Sequence, residues 1–330
     1  MFLKLYKNSS VKNILVITLS NIGDVVLTAP VIDILLRDYP LAKLSLVVGA
    51  KASSLFESNP RFSQIHIFNR KLNIWQQARW TLGLKQYHYD LVVDLRNSMI
   101  GYFLLPKWLT PPVMSANKNI HFKQRHLNRL RSLYDFSKDP VEKLAIVSSK
   151  NDELFVDQLL KPFLENGSSF VVIAPKAADS SKTWSAEEFV GLCQAIIDTY
   201  GLKIVMIGSK EDKEAIEWIN QRLQGKILNL AGSIQLTQLV SLFKRAKMAI
   251  VHDSGPMHIA SYLNKPLVAL FGPTSPVCYG PWSSIFKIVR HNSQCQRCLN
   301  PKISSLHNCM SGITQQEVWE AFKEIYEKSK

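Results

Sequence analysis

At 330 residues, with 46% hydrophobic and 20% charged side chains, the chain is too long for one ordinary domain and too apolar for a disordered one, so two domains of roughly 150 residues are expected. Forty basic against 26 acidic residues leave a net charge of +14, which favours an anionic partner. No apolar run reaches the about 20 residues needed to cross a bilayer, and the run 14–17 behind Lys4, Lys7 and Lys12 is too short for a secretory signal, which points to a cytoplasmic protein.

The first half reads as strands at 13–18, 44–49, 64–68 and 90–95, with amphipathic helices such as 30–39 and 74–85 between them. After the first strand, Gly23 permits a tight turn and Pro30 suits the start of a helix capped near Thr28. Asp24 stands in that strand-to-helix loop, where a carboxylate can take a proton from an attacking hydroxyl. On local sequence alone, a helix-capping role fits it better. Between Asp94 and Asp135 there is no acidic residue, yet Arg96, Lys107, Lys118, Lys123, Arg125, Arg129 and Arg131 occur there, with His121 and His126. Such a stretch suits a phosphorylated acceptor or an anionic membrane surface, and a solvated basic face fits it equally well. No zinc-finger spacing or RNP-like aromatic run accompanies it, which argues against nucleic acid.

A polar stretch at 148–152, a helix at 153–164 and residues 165–169 read as the connection, dividing the chain into 1–150 and 151–330. The second half alternates strands at 170–174, 203–207, 227–230, 248–252 and 267–271 with helices at 186–200, 212–223, 236–245 and 256–263. This alternation predicts an α/β chain with two Rossmann-like parallel sheets, each covered on both faces. Ligands of such sheets bind beyond the carboxyl ends of the strands.

Strand 170–174 leads into a polar loop with Lys176 and Lys182, then a helix capped by Ser185 with Glu188 three residues on. Lys182 is the better placed to meet a phosphate. The next two strands are followed by Gly208, Ser209, Lys210, Glu211 and Asp212, and by Ala231, Gly232 and Ser233. Each is an ordinary turn alone; at successive strand ends they suggest a nucleotide cleft. Strand 248–252 runs into Asp253, Ser254 and Gly255, with Pro256 at the start of a helix. Small residues and unpaired helix amides make an anion site fit for a diphosphate. His258, one turn inside, can add a donor to a phosphate oxygen; the lesser alternative is an ordinary turn with a core-facing histidine. The loop Gly272-Pro273-Thr274-Ser275-Pro276 should lie beside it. The chain contains no G-x-G, so the nicotinamide and Walker fingerprints are both missing.

Five cysteines are present. Cys193 falls in a helical pattern. Cys295, Cys298 and Cys309 form C-x2-C-x10-C, which can hold a metal ion if Cys278 or His307 completes the set, or can be a loop of unpaired thiols.

Gly23-Asp24 with Pro30, residues 89–95, Lys182-x-Trp184, Leu230-Ala231-Gly232, residues 253–260 and Phe271-Gly272-Pro273-Thr274 together resemble glycosyltransferase family 9, the ADP-heptose:lipopolysaccharide heptosyltransferases, over nearly the whole chain. The resemblance implies a GT-B fold of two facing Rossmann-like domains, with acceptor binding on 1–150 and nucleotide-sugar binding on 151–330. It also implies a last helix, near 315–327, packing back on the first domain. By the same resemblance Asp24 is the base that deprotonates the acceptor hydroxyl, and Lys182 neutralises the diphosphate leaving group. Asp253 faces the donor sugar, and Ser254, Gly255 and His258 lie at the phosphates; from their place at successive strand ends, Gly208, Glu211, Asp212 and Gly232 are further donor-site candidates. Arg96, Lys123 and Arg125 are the candidates for acceptor binding. The implied chemistry is inverting transfer of heptose from ADP-heptose to the lipopolysaccharide inner core, with peripheral contact at the inner membrane face. No cofactor beyond the donor is implied, and the chain has no D-x-D to hold a metal. Ala177 and Ala178 depart from the hydroxyl residues often found before the lysine, so backbone donors would have to serve there. Closure of the cleft by hinge motion is a further expectation of the family. Two alternatives remain open: a GT-B transferase for another nucleotide sugar, and a non-catalytic nucleotide-sugar-binding protein.

Overall fold

In the computed structural model, residues 10–113, 119–136, 142–164, 168–291 and 309–330 are described. Within the first unit, Met1–Ser149, short β-branched runs become β1 (Asn13–Ile17), β2 (Lys43–Gly49), β3 (Phe62–Phe68), β4 (Leu91–Asp94) and β5 (Trp108–Leu109). All pair in parallel in the order β3-β2-β1-β4-β5. The helices are α1 (Ile22–Val26), α2 (Ala29–Asp38), α3 (Ser54–Glu57), α4 (Ile74–Gly83), α5 (Ile100–Leu104) and α6 (Phe122–Arg131).

Strands β1 and β4 are buried on both faces, as continuous apolar runs in covered parallel sheets are. One face, carrying Leu15, Ile17, Val47 and Val92, is covered by Leu84 and Ile100 with Trp80 and Leu104, so α4 and α5 share it. Helix α2 packs against α6. Buried Asp33 of α2 accepts from the Leu144 and Ala145 amides, tying down the end of the unit.

The second unit, Lys150–Lys330, begins with α7 (Lys150–Leu160). The helix starts within the stretch read as polar connection, because Asp152 is buried inside it and accepts from Thr237 Oγ1 at 3.0 Å. Strands β6 (Phe170–Ala174), β7 (Lys203–Met206), β8 (Ile227–Asn229), β9 (Met248–His252), β10 (Leu267–Phe271) and β11 (Phe286–Arg290) form a six-stranded parallel sheet, ordered β11-β10-β9-β6-β7-β8. Its helices are α8 (Ala186–Tyr200), α9 (Lys213–Arg222), α10 (Leu236–Arg245), α11 (Gly255–Tyr262), α12 (Pro276–Tyr279) and a C-terminal helix, Gln315–Lys328.

The C-terminal helix was expected on the first unit, but its apolar stripe is committed elsewhere. Val318, Ala321, Phe322 and Ile325 are buried in the second unit's own core, against α8, β10 and β11. Strands β5 and β11 escaped the sequence reading: β5 has two residues, and β11 is an edge strand with exposed Phe286 and Lys287.

In each unit the first strand and the fourth lie side by side at the point where strand order reverses, β1 with β4 and β6 with β9. The loops after those strands therefore flank a crevice at the carboxyl edge, the usual ligand position in open α/β sheets.

Candidate active site

In the second unit the loops after β6 and β9 are fastened to one another. A short 3-10 turn, Ser180–Lys182, is shaped by Asp179, whose carboxylate accepts from the Ser181 amide and hydroxyl at 3.0 and 2.7 Å. Lys182 Nζ donates to Asp253 Oδ2 at 2.8 Å, and the Thr274 hydroxyl donates to the same oxygen at 2.5 Å. Three loops, after β6, β9 and β10, thus converge on one carboxylate. The ion pair is largely sheltered, with side-chain exposures of 21% for Lys182 and 6% for Asp253. A charge pair held this way comes at a desolvation cost unless further hydrogen bonds satisfy it, which is what Thr274 supplies.

Behind the pair lies the last residue of β9, to which the sequence alone assigns no role. His252, wholly buried at the end of β9, accepts from the Trp184 amide through Nε2 at 3.0 Å, and its Nδ1 meets the Ala174 carbonyl at 3.0 Å. Those partners define a neutral ring with the proton on Nδ1. Burial pushes its pKa down to about 4, against the Ala174 carbonyl, which favours the protonated form. Trp184 is fixed at its other end by Nε1–H donating to Ile313 O at 2.8 Å. The segment carrying Lys182 is therefore nailed to the core two residues after the lysine.

Helix α11 opens beside Asp253. The Ser254 hydroxyl turns back to the His252 carbonyl at 3.2 Å and makes no cap to the helix amides, and Pro256 is the second helical residue. The positive end of the helix, with its first amides, accordingly points out of the strand ends. His258 is buried, with Nε2 3.9 Å from Asp253 Oδ1 and its ring 5.7 Å from that of Trp282. It thus sits behind the carboxylate. Gly272 allows a close approach: a Cβ there would lie 3.1 Å from Met310 Sδ and 3.2 Å from the Ser181 carbonyl.

One and two strands farther along the same edge lie the other predicted donor residues. Gly232 has φ +67° and donates its N–H to Gly208 O at 3.0 Å, and a Cβ on it would meet Lys210 Cα at 2.8 Å. Asp212 accepts from the Ser209 amide and hydroxyl, and Glu211 is exposed beside it. The Gly232 bond and its close approach to Lys210 join the two loops, while Asp212 shapes the first.

In the first unit Asp24 sits in the first turn of α1, whose N-cap is Asn21, so it is not itself the cap residue. It is partly exposed, and Asn21 Nδ2 donates to its Oδ2 at 3.0 Å. Among the described residues no cation is ion-paired with it. The adjacent loop after β4 carries Arg96, which donates to the Thr18 carbonyl at 3.1 Å and to Ser20 Oγ at 2.7 Å, and lies 4.5 Å over the Phe68 ring. Asp94 shapes that loop by accepting from the Arg96 amide and from the Ser98 amide and hydroxyl. Its burial raises its pKa, opposed by those hydrogen bonds.

Lys123 and Arg125 lie near the start of α6. Arg125 folds onto its own helix end, bonding Ile120 O at 2.9 Å and covering the Phe122 ring. The arginine of α6 that does reach the strand ends is Arg129, nearly buried, donating to Asn97 Oδ1 at 2.9 Å. Its i+4 spacing from Arg125 was the available signal. Of the candidate metal ligands, Cys295, Cys298 and His307 lie outside the described residues. Cys309 is buried as a free thiol beside Gly272, and among the described residues no group of three His, Cys, Asp or Glu is disposed to hold a metal.

A family model described as glycosyltransferase family 9 (heptosyltransferase) matches residues 113–307. Lipopolysaccharide heptosyltransferase 3 of Escherichia coli is 26% identical over 295 residues, covering 79% of this chain and 84% of that protein. The crystal structure of a family 9 glycosyl transferase from Veillonella parvula superposes with a TM-score of 0.85 at 21% identity, covering 99% of this chain and all of that one. The E. coli heptosyltransferase WaaC with ADP-2-deoxy-2-fluoro heptose gives 0.69 at 15% identity, over 94% and 99% of the two chains. Two parallel α/β domains and these neighbours together make the fold GT-B.

Proposed function

The chain belongs to glycosyltransferase family 9, and from that premise we propose that it moves heptose from ADP-heptose to the inner core of lipopolysaccharide with inversion at the anomeric carbon. The observation that carries this reading is the convergence of Lys182, Asp253 and Thr274 beside the start of α11, at the switch point of the second sheet. The second unit is assigned the donor and the first the acceptor. The named activity of the E. coli relative and the donor analogue in the WaaC complex support the sugar and the nucleotide.

In the proposed step Asp24 takes the proton of the acceptor hydroxyl as its oxygen attacks the anomeric carbon. The bond to the β-phosphate oxygen breaks, and ADP leaves with the electron pair. Charge growing on that phosphate is met by Lys182 and the positive end of α11. Both are fixed before the reaction, so little reorganisation is needed as charge develops. Asp253 holds Lys182 in place, and His252 with Trp184 holds the segment that carries it. Arg96 and Arg129, at the strand ends of the first unit, suit an anionic acceptor. With a lysine and a helix terminus facing the diphosphate, no metal is assigned to the step; chelator-treated enzyme should retain its rate. The proposed site of action is the cytoplasmic face of the inner membrane, where the chain would bind peripherally.

The test is ADP release from ADP-heptose in the presence of heptose-deficient lipopolysaccharide core. Acceptor-dependent release that Asp24→Ala abolishes while donor binding persists is the expected result. Absence of both ADP-heptose binding and release would overturn the heptose assignment and leave a family member with another donor.

A further inference from the structure

Exposed large apolar side chains are concentrated in one stretch of the first unit. Ile74, Trp75 and Leu82 project from α4 with exposures of 77, 83 and 53%, and Met99, Phe103 and Leu105 around α5 with 64, 55 and 79%. Both helices cover the same sheet face through Trp80, Leu84, Ile100 and Leu104. On α4 the exposed residues lie away from Trp80; at α5 Phe103 stands at the edge of the covering face, with Met99 and Leu105 at the two caps, and the two helices are in contact. Scattered single apolar residues need no explanation, but this many on neighbouring helices form a patch that marks a contact surface.

The charge around the patch is one-sided. Between Glu57 and Asp135 the only acidic residues are Asp90 and Asp94. Neither balances the surface: Asp90 accepts from the Lys12 and Asn13 amides, and Asp94 is buried under the Ser98 and Arg96 amides. Arg70, Lys71, Arg79, Lys85 and Lys107 are all exposed along the same stretch. Trp75, Arg79 and Leu82 follow one another at helical spacing on α4, which interleaves an aromatic, a cation and an aliphatic on one stripe. The Lys107 ammonium lies 4.4 Å over the Trp108 ring.

We propose that the outward side of α4 and α5 is a docking surface for an anionic phospholipid bilayer, with Trp75, Phe103 and Leu105 entering the headgroup layer and Arg70, Lys71 and Arg79 meeting lipid phosphates. Tryptophan beside cations is the composition favoured at a membrane–water boundary, and a protein partner would not require a rim of one sign over so long a stretch. This surface shares Met99, Phe103, Leu105 and Lys107 with the basic stretch 96–131 but uses none of Arg96, Lys123 and Arg125, the acceptor candidates, and it deepens the reading that places the enzyme at a membrane. It stands on the patch itself, so loss of the heptose assignment would leave it intact.

Co-sedimentation of the full chain with vesicles of phosphatidylcholine alone, or of phosphatidylcholine and phosphatidylglycerol in equal parts, tests it without any sugar substrate. Wild type should bind the anionic vesicles and release with salt. The triple variant Trp75→Ser, Phe103→Ser, Leu105→Ser and the triple variant Arg70→Glu, Lys71→Glu, Arg79→Glu should each lose about tenfold or more in affinity, since several apolar or charged contacts go at once. Leu41→Ser, an isolated apolar residue 97% exposed, serves as the control and should bind as wild type. All positions changed are exposed, and unaltered melting would confirm that the variants fold. Equal binding to both vesicle types, no binding to either, or undiminished binding by the serine variant would overturn the proposal. A dimer in light scattering that the serine variant dissolves would overturn it in favour of a self-association face.

Discussion

In the second unit the two loops at the switch point are fastened through charge, with Lys182 on one and Asp253 on the other, and a buried histidine underneath. In the first unit the corresponding loops are fastened through Arg96, which reaches from the β4 loop to Thr18 and Ser20 of the β1 loop, and Asp24 is left partly exposed with an amide for company. The same strand order thus supports two different preparations. In the proposed step one would present a fixed cation and a helix terminus to the leaving group, and the other a carboxylate to receive the proton. The difference matches what each half of a displacement needs: preorganised positive charge at the departing oxygen, and a free base at the attacking one.

The largest expected effect breaks the first unit's half of this contrast. Asp24→Asn keeps the shape of the loop and removes the base, and should lower kcat by about 10²–10⁴-fold with donor affinity retained. Stopped-flow ADP release together with donor titration would check both numbers, and a fall in donor affinity equal to the fall in rate would mean that Asp24 does not act as the base. Lys182→Ala strikes the other half. It should cost on the order of 10²–10³ in kcat, as removal of a preorganised donor to a developing charge does elsewhere. Unlike the Asp24 variant it should also weaken ADP binding, measured by calorimetry.

Acid sharpens the comparison at the level of stability. His252 is neutral in the folded chain and its pKa is held down near 4, against 6.5 for an exposed histidine. Between those values the unfolded chain binds a proton that the folded chain refuses, so stability is complete above pH 6.5 and falls as pH drops toward 4. The loss attributable to His252 is on the order of 3 kcal/mol. His126 of α6, buried and held at about 3 by desolvation and neighbouring arginines, imposes the same sense of change on the first unit. The two are separated by His252→Gln: its pH slope should vanish from the unfolding of the second unit and persist in the first. A slope unchanged in the variant would show that His252 is not the group being protonated.

The contrast between the units also explains what the sequence could convey. Strand ends, glycine-bearing loops and the Asp253–Gly255 turn are local signals, and the parallel α/β architecture follows from alternation of short apolar runs with helices. Contacts that fix the site are distant in the chain: Lys182 and Asp253 are 71 positions apart, and Trp184 and His252 are 68. No spacing rule announces that a histidine ending a strand accepts from a tryptophan amide on another loop. For that reason the sequence assigns Thr274 no role within its loop, and Arg129 is one cation of a basic run until its burial in the fold singles it out. The C-terminal helix was legible as a helix. Its place was not, because an amphipathic stripe says that a face is buried and leaves open against which sheet.

The smallest expected effect bears on which contact places the cation. Thr274→Val removes one hydrogen bond to Asp253 and leaves the ion pair with Lys182 intact, whereas Asp253→Ala removes the carboxylate that both partners share. A hydrogen bond to a charged group contributes about 1.5–3 kcal/mol when buried, and less at this partly open position. The valine variant should therefore raise the donor KM several-fold with kcat nearly unchanged, since Lys182 keeps the position that the proposed step requires. The alanine variant should lower kcat as well, because the freed ammonium loses its fixed position. Steady-state kinetics of the two variants side by side decides the matter. Equal losses in kcat would mean that the threonine hydroxyl fixes the carboxylate and the lysine merely follows, and the account of the second unit as a charge-fastened crevice would have to be rebuilt around a hydrogen bond.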